Sequence, residues 1–412
     1  MKADMKPETE MDTEPIKDAE ESTSLMGPML VAQGSPHRAA LADLALEAAV
    51  RSASLRRSLP AGICTALSDL VRSMNCYYSN LIEGHNTHPV DIERALKNDY
   101  SADPAKRDLQ LEAIAHLAVQ QWIDGGGLKG RVVSVDGIKE VHRRFCEQLP
   151  GDMRWVKNPD TGEKDQLIPG QFRHLDVKVG RHIAISPGAV PRFLVRFEEA
   201  YSSLSKTEAI IAAAGLHHRF LWIHPFLDGN GRVARLISHA NLLETLDTGG
   251  IWSIARGLAR NVKTYKGHLA NCDLTRRNDL DGRGNLSEEA LVDFTRFFLE
   301  TCIDQVDFME KLVRPNLLRT RILQWADEEI RLGDLPPNAG NVLDAILYRG
   351  ELARGDIANI VGTGDRQARR VVAALTAKNV LTSESSRAPL RLAFPAALAA
   401  RWMPGLFPEL SN

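Results

Sequence analysis

The chain lacks any run approaching ~18 consecutive apolar residues, which excludes a membrane-spanning helix. Its N-terminus has no apolar signal core either, so a cytoplasmic location is the default expectation. Cysteine is scarce: Cys64, Cys76, Cys146, Cys272 and Cys302 are the five among 412 residues, and they show no paired spacing. That scatter fits a reducing compartment rather than a disulfide framework. Neither sign of charge dominates, because 51 Lys and Arg face 53 Asp and Glu, for a formal net charge of -2. No global field draws the protein to nucleic acid or a membrane surface, and any such binding has to come from a local patch.

Large apolar residues are also sparse over residues 1–28, an acidic stretch ending in Gly27-Pro28 that reads as a disordered tail. Alanine- and leucine-rich helical sequence then runs from about residue 38 to 125, where Gly125-Gly126-Gly127 breaks it. Helical patterning returns from about 189 to 333, and Leu335-Pro336-Pro337-Asn338 opens a separate module. A chain of this length holds two or three domains with ample core. The expected division is the tail, an N-terminal helical region over 29–105, a helical core over 106–310, a connecting helix over 311–335 and a small domain over 336–400.

The most informative segment is His224-Pro225-Phe226-Leu227-Asp228-Gly229-Asn230-Gly231-Arg232-Val233-Ala234-Arg235. Ala213, Leu216, Phe220 and Ile223 recur at helical spacing before it, and Val233, Leu236, Ile237 and Leu243 resume an apolar stripe after it. The pattern is helix, turn, helix. Pro225 should bar His224 from the helical region and push it towards an extended backbone. Gly229 and Gly231 let the chain curl with its amides inward, an anion-binding nest at the start of the second helix.

Side-chain chemistry assigns the remaining roles. His224 suits a general base near neutral pH, since an unperturbed imidazole has a pKa of about 6.5. Asp228 suits Mg²⁺, which takes carboxylate and phosphate oxygens and keeps several waters. Asn230 and the glycine amides can donate to a phosphate, and Arg232 and Arg235, three apart on one helical face, can neutralise a leaving group. A lone Gly-Asn-Gly is usually an ordinary interhelical turn. Five reactive side chains in one such turn point instead to polyphosphate chemistry.

At every position the segment resembles the signature of the Fic family, His-Pro-Phe-x-(Asp/Glu)-Gly-Asn-(Gly/Lys)-Arg followed by x-x-Arg. The resemblance implies a mainly α Fic-fold core with a short β-hairpin flap. It also implies transfer of AMP from ATP, with Mg²⁺, to a Ser, Thr or Tyr hydroxyl on a protein target, self-modification included, with pyrophosphate leaving. His224 would then deprotonate the acceptor, Asp228 would bind Mg²⁺, and Gly229, Asn230 and Gly231 would hold the α and β phosphates. Arg232 and Arg235 would contact the outer phosphates. Relatives with lysine at the position of Gly231 transfer a phosphate, so the glycine implies nucleotide transfer.

Upstream, Ser79-Asn80-Leu81-Ile82-Glu83-Gly84 is weak alone. Residues 72–82 pattern as a helix, with Val71, Met74, Tyr78 and Leu81 on one side and Gly84 as its C-cap. A carboxylate at a helix C-terminus is disfavoured by the dipole, so Glu83 calls for a cationic partner. Ser79, Glu83 and Gly84 resemble the family's inhibitory (Ser/Thr)-x-x-x-Glu-(Gly/Asn) motif. The implication is that Glu83 pairs with Arg235 and keeps the ATP γ phosphate from binding productively, and bifunctional relatives imply that Glu83 can also direct removal of AMP.

Leu175, Val177 and Val179 alternate with polar residues after Gly170-Gln171-Phe172-Arg173, which suggests a strand or hairpin. On its own this is a structural hairpin. In the family a flap here pairs with the target's main chain, a β-augmentation that would place Phe172, Arg173, Leu175 and Val177 at the target. Tyr265, on a helix after residue 252, is either core packing or a neighbour of the adenine. The string Asp279 to Glu288 fails as a calcium loop, with Arg283 fifth and Ala290 twelfth, and reads as a turn into a helix capped by Ser287. His217, His218 and His224 lack cysteine or carboxylate partners at zinc spacing.

Residues 341–348, 354–361 and 365–378 pattern as short helices, followed by strands over 380–382 and 390–394. Three helices and a two-stranded wing resemble a winged helix-turn-helix domain, with Arg366, Arg369, Arg370 and Lys378 on the third helix. Such a face binds either DNA, through the major groove, or a protein. Two functions stand: an adenylyltransferase held in check by Glu83, or a DNA-binding regulator whose core senses nucleotide or modifies only itself. A membrane partner is not expected, and a homodimer is left open.

Overall fold

Capping residues and prolines set most of the element boundaries, which the computed structural model describes over residues 16–157 and 162–407. The chain is mainly α-helical, as the patterning predicted. Helix α1 (Arg38–Arg57) precedes α2 (Ala61–Glu83), which stops at Gly84 with φ 91°, a left-handed position that glycine takes without a Cβ penalty. Helices α3 (Pro89–Leu96) and α4 (Pro104–Asp124) start on proline after side-chain caps from His88 and Asp103. Ser134 caps α5 (Val135–Glu147), and Ser205 caps α7 (Lys206–Ile223), which follows α6 (Val190–Tyr201). Then come α8 (Asn230–Leu246), α9 (Ile254–Arg260), α10 (Val262–Cys272), α11 (Glu288–Val313) and α12 (Pro315–Leu332).

The turn before α11 is a cap and not a cation loop: Asp281 accepts from the Ser287 hydroxyl at 2.9 Å and from the Glu289 amide at 2.8 Å. Strands are few and short. Two antiparallel hairpins, β1 (Trp155–Lys157) with β2 (Lys164–Gln166) and β3 (Lys178–Val179) with β4 (His182–Ile183), lie between α5 and α6. The flap hairpin is therefore shorter than the alternation suggested, with Leu175 and Val177 leading into it.

Helix α7 is buried on nearly every side, as expected for a helix that is apolar all round. One apolar cluster gathers around it and α8, with Phe193, Phe197, Phe220, Phe226, Val233 and Ile237. A second runs from α1 and α2 through α11 into the C-terminal elements, with Leu67, Met74, Phe298, Trp325, Val342 and Val371. Those elements are α13 (Ala339–Arg349), β5 (Glu351–Leu352), α14 (Ile357–Val361), α15 (Asp365–Ala377), β6 (Leu381–Thr382) and β7 (Leu390–Leu392). Their sheet has the order β5-β7-β6; the two-residue β5 was not anticipated.

The C-terminal module is not detached from the rest. The Tyr78 hydroxyl of α2 donates to the Leu406 carbonyl at 2.8 Å, and Arg256 donates to the Gly405 carbonyl at 2.9 Å. Trp325 meets Trp402 edge-on at 5.2 Å, and Gly62 in α2 lies so close to Gly350 that a Cβ there would collide with its backbone. The tail also departs from expectation. Residues 1–15 lie outside the described residues, whereas residues 16–28 are ordered against α6, with a short 3₁₀ turn over Thr23–Met26. Two of their acidic side chains, Asp18 and Glu21, bind Arg192 and Ser186 instead of facing solvent alone. Among the described residues no helix is long and apolar enough to cross a membrane.

Candidate active site

The turn between α7 and α8 is built by groups that tie its backbone down. His224 is not extended but left-handed, φ 50° and ψ 62°, with its amide donating to the Phe220 carbonyl at 3.1 Å. Pro225 disfavours the right-handed helical region for its predecessor. A left-handed residue leaves that region and still closes the last helical bond. The Phe226 ring stacks on His142 at 3.8 Å, below the turn. Asn230 receives the Phe226 amide on Oδ1 at 3.0 Å and returns Nδ2 to the Phe226 carbonyl at 2.8 Å. The oxygen and one of the two N–H groups of that amide are spent on the loop, which fixes the side chain and leaves the second N–H of Nδ2 as its remaining donor. Gly229, φ 82°, then caps α8 and leaves the first-turn amides beyond it without helical acceptors.

His224 is half-buried and its Nδ1 lies 3.3 Å from the Leu221 carbonyl, which fixes the proton there and leaves Nε2 as the basic atom. Burial pushes its pKa down to about 4, with Arg173 and His182 adding to the shift, so the ring is neutral at pH 7. Asp228 is exposed, its side chain keeping 58% of its surface, and lies 3.7 Å from Arg232. Among the described residues no group of three possible ligands could hold a metal. One exposed carboxylate at an amide nest fits a Mg²⁺ that takes its other oxygens from phosphates and water, and does not fit zinc. His217 and His218 point elsewhere, to Ser238 and Tyr265 and to Asp273.

Both arginines of α8 are committed. Arg235 donates through Nε to the Ser79 hydroxyl at 2.8 Å and through Nη2 to Glu83 at 2.5 Å and the Ser79 carbonyl at 3.2 Å. The Glu83 carboxylate packs directly on Gly231, where a Cβ would collide with it. Burial pushes the Glu83 carboxyl up, but Arg235, with Arg232 and Lys266 behind it, outweighs that and holds it below its ordinary range. An anion therefore already sits at the N-terminus of α8. Arg232 pairs at 2.8 Å with the buried Glu112 of α4, which also lies 3.3 Å from His85 Nδ1. Glu112 went unnoticed in the sequence; the signal was an acid among the buried apolar positions of α4.

Two expected site residues sit elsewhere. Arg173 is 1% exposed and faces no target: it donates to the carbonyls of His224 at 2.7 Å, Leu175 at 2.9 Å and Ile185 at 2.5 Å. It clamps the segment before β3 to the turn between α7 and α8. Phe172 is half-buried, 5.9 Å from Phe226, and Leu175 and Val177 are half-buried too, while Val179 and Ile183 carry the flap's exposed apolar surface. Tyr265 is 2% exposed, with its hydroxyl 2.7 Å from His217 Nε2, and presents no free ring face to a base.

Comparison with known proteins bears on this geometry. Residues 132–242, which span α5 to α8, match the model of the Fic/DOC family. Over 169 residues, 40% of the chain, it is 28% identical to the protein adenylyltransferase Fic of Drosophila erecta and 27% identical to that of Drosophila willistoni. The chain spans 31% of the length of each of these relatives. A crystal structure of a Fic family protein from Desulfovibrio desulfuricans is similar in overall fold, with a TM-score of 0.51 at 16% identity over 88% of this chain and 98% of that one.

Proposed function

We propose that the protein transfers AMP from ATP to a hydroxyl on a protein, and that Glu83 holds this activity in check. The observation that carries the reading is the convergence at one helix N-terminus of a neutral imidazole, an exposed carboxylate, unpaired amides and two arginines. In the reaction the acceptor oxygen attacks the α phosphorus and its proton passes to His224 Nε2. The bond from that phosphorus to the bridging oxygen breaks, and pyrophosphate leaves. Asp228 is the residue that would hold a Mg²⁺, which would supply charge neutralisation there. The α8 amides and Arg232 take up the remaining negative charge.

Restraint follows from competition. The guanidinium of Arg235 is shared between Ser79, which takes Nε, and the Glu83 carboxylate, which takes Nη2 and fills the adjoining space over Gly231. In a state where Glu83 stays near bound product, the same carboxylate can direct a water at the AMP ester. The test is mass spectrometry of Glu83→Gly protein incubated with ATP and Mg²⁺ in cell extract. A mass increase of one AMP on some protein, above that given by wild type, is expected; equal labelling by both proteins sinks the inhibitory role.

A second reading concerns the C-terminal module, which we read as a winged helix that recruits duplex DNA. Arg366, Arg369 and Arg370 on α15 are exposed with no ion pair among the described residues, and Arg387 in the wing loop is exposed too. Lys378, which the sequence pattern put on the same helix and which caps its C-terminus, is withdrawn into pairs with Glu329 at 2.5 Å and Asp334 at 3.5 Å. A mobility shift with random duplex that fades as salt rises supports this; no shift at low salt refutes it.

A further inference from the structure

Helices α1 and α7 both carry apolar side chains all round, but only one of them is covered all round. The protein closes over α7 on nearly every side. Helix α1 packs Leu41, Ala45, Ala48 and Leu55 inward, along α11 and α7, and leaves the opposite face open. On that face Leu46 is 63% exposed and Val50 is 60% exposed, one helical turn apart. A single exposed leucine is ordinary. Two adjoining apolar side chains, on a helix that is apolar all round, mark a helix short of one neighbour.

The exposed residues Ala39, Asp43, Leu46, Val50, Ser54 and Arg57 follow one another at intervals of three and four, which aligns them in one seam. Beside it, Ala49, Val50, Ala53, Ser54, Arg57 and Ser58 line a shallow hollow. Alanine and serine there let a second helix come close. The seam is also self-complementary in charge. Asp43 and Arg57 stand seven residues to either side of Val50, and neither has an ion pair among the described residues. The nearer charges are already engaged, since Arg51 binds Glu47 at 2.6 Å and Asp307 at 2.5 Å.

We propose that the open face of α1 is the seam of a homodimer, in which two copies pair their α1 helices antiparallel about a two-fold axis at Val50. That axis sets Asp43 of each copy against Arg57 of the other. It also places each Leu46 opposite Ser54 of the second copy, in the hollow between Val50, Ala53 and Arg57. A two-fold interface demands such a pattern, because the surface that one copy offers is the surface that must receive it. A different protein would not need the acid and the base to be equidistant from the centre. With its 20 residues α1 is about 30 Å long, so helix pairing alone falls at the small end of specific interfaces. Association should therefore be weak, in the micromolar range. Pairing needs neither ATP nor His224, and its failure leaves the adenylyltransferase reading standing.

The test is sedimentation equilibrium of the full chain at rising concentration. A mass that climbs from 45.5 kDa towards twice that value is expected. Leu46→Lys should hold the chain at the monomer mass with its Tm unchanged, because an exposed side chain contributes little to folding. Asp43→Arg sets arginine against arginine at both ends of the seam and should weaken association about tenfold. Adding Arg57→Asp to it should restore the wild-type affinity. A wild-type mass fixed at 45.5 kDa at every concentration overturns the proposal and leaves the face to a different protein. A dimer that Leu46→Lys leaves intact lies on another face and overturns it too. A double exchange that associates no more tightly than Asp43→Arg alone overturns the register at Val50, and the proposal with it.

Discussion

The arginines of α8 and those of α15 stand in opposite conditions. Arg232 and Arg235 are 9% and 4% exposed and bound to Glu112, Glu83 and Ser79, whereas Arg366, Arg369 and Arg370 face solvent with no anionic partner among the described residues. A buried guanidinium without a partner would cost several kcal/mol, so the fold supplies carboxylates, and any phosphate that binds must displace or join them. An exposed guanidinium bears no such cost and stays open to whatever anion arrives. One set of cations therefore has a default internal occupant, and the other has none among the described residues.

Three experiments press on that contrast. The largest effect is expected at the turn itself: His224→Ala should lower AMP transfer by about 10²- to 10⁴-fold, the range for loss of a general base. Because Asn230 and Arg173 hold the turn, thermal stability should barely move; a large fall in Tm would show that the imidazole is part of the scaffold. In the wild type, a folded pKa of about 4 keeps the base neutral across pH 6–8, so the rate should stay level there and fall as pH approaches 4. Stability has the same sign. The unfolded chain binds this proton near pH 6.5 and the folded chain only near 4, so acidification through that window favours unfolding.

Next in size is Glu112→Gln, which leaves Arg232 buried with its partner neutralised. A loss of about 3–5 kcal/mol is the usual result of breaking a buried pair, and urea titration reads it. If stability is unchanged, the α8 arginines are no more dependent on their partners than those of α15. The smallest effect on stability belongs to the triple change Arg366→Ala, Arg369→Ala, Arg370→Ala, within about 0.5 kcal/mol per site by the same titration. Its signature should appear only in binding, as a duplex affinity whose logarithmic salt slope is shallower by about three units.

Much of this contrast was legible in the sequence, though unevenly. Pro225, Gly229 and Gly84 announce their turns because each removes backbone options locally, and α7, α8 and the end of α2 fall where those signals put them. What the residues could not announce was which side chains would be consumed by the scaffold. Asn230 and Arg173 look like ligand groups in the sequence, but their partners, the Phe226 backbone and four carbonyls, are main-chain atoms that carry no sequence label. Tyr265 is placed by a histidine 48 residues away, and Glu112 by an arginine on another helix. The ordered stretch from residue 16 was missed for a related reason: composition registers its acids, not the Arg192 and Ser186 that receive them.

Helix α2 carries Glu83 at its last residue and, along its length, the hydroxyl of Tyr78 that holds Leu406 and the glycine that abuts Gly350. One helix thus touches two regions, the start of α8 at one end and the C-terminal elements along its length. Free energies of binding at two addresses on a shared element are reciprocal. To whatever extent a ligand on the C-terminal module moves α2 and changes the affinity for ATP, ATP changes the affinity for that ligand by the same factor, and measuring either affinity with and without the other gives the size of the exchange.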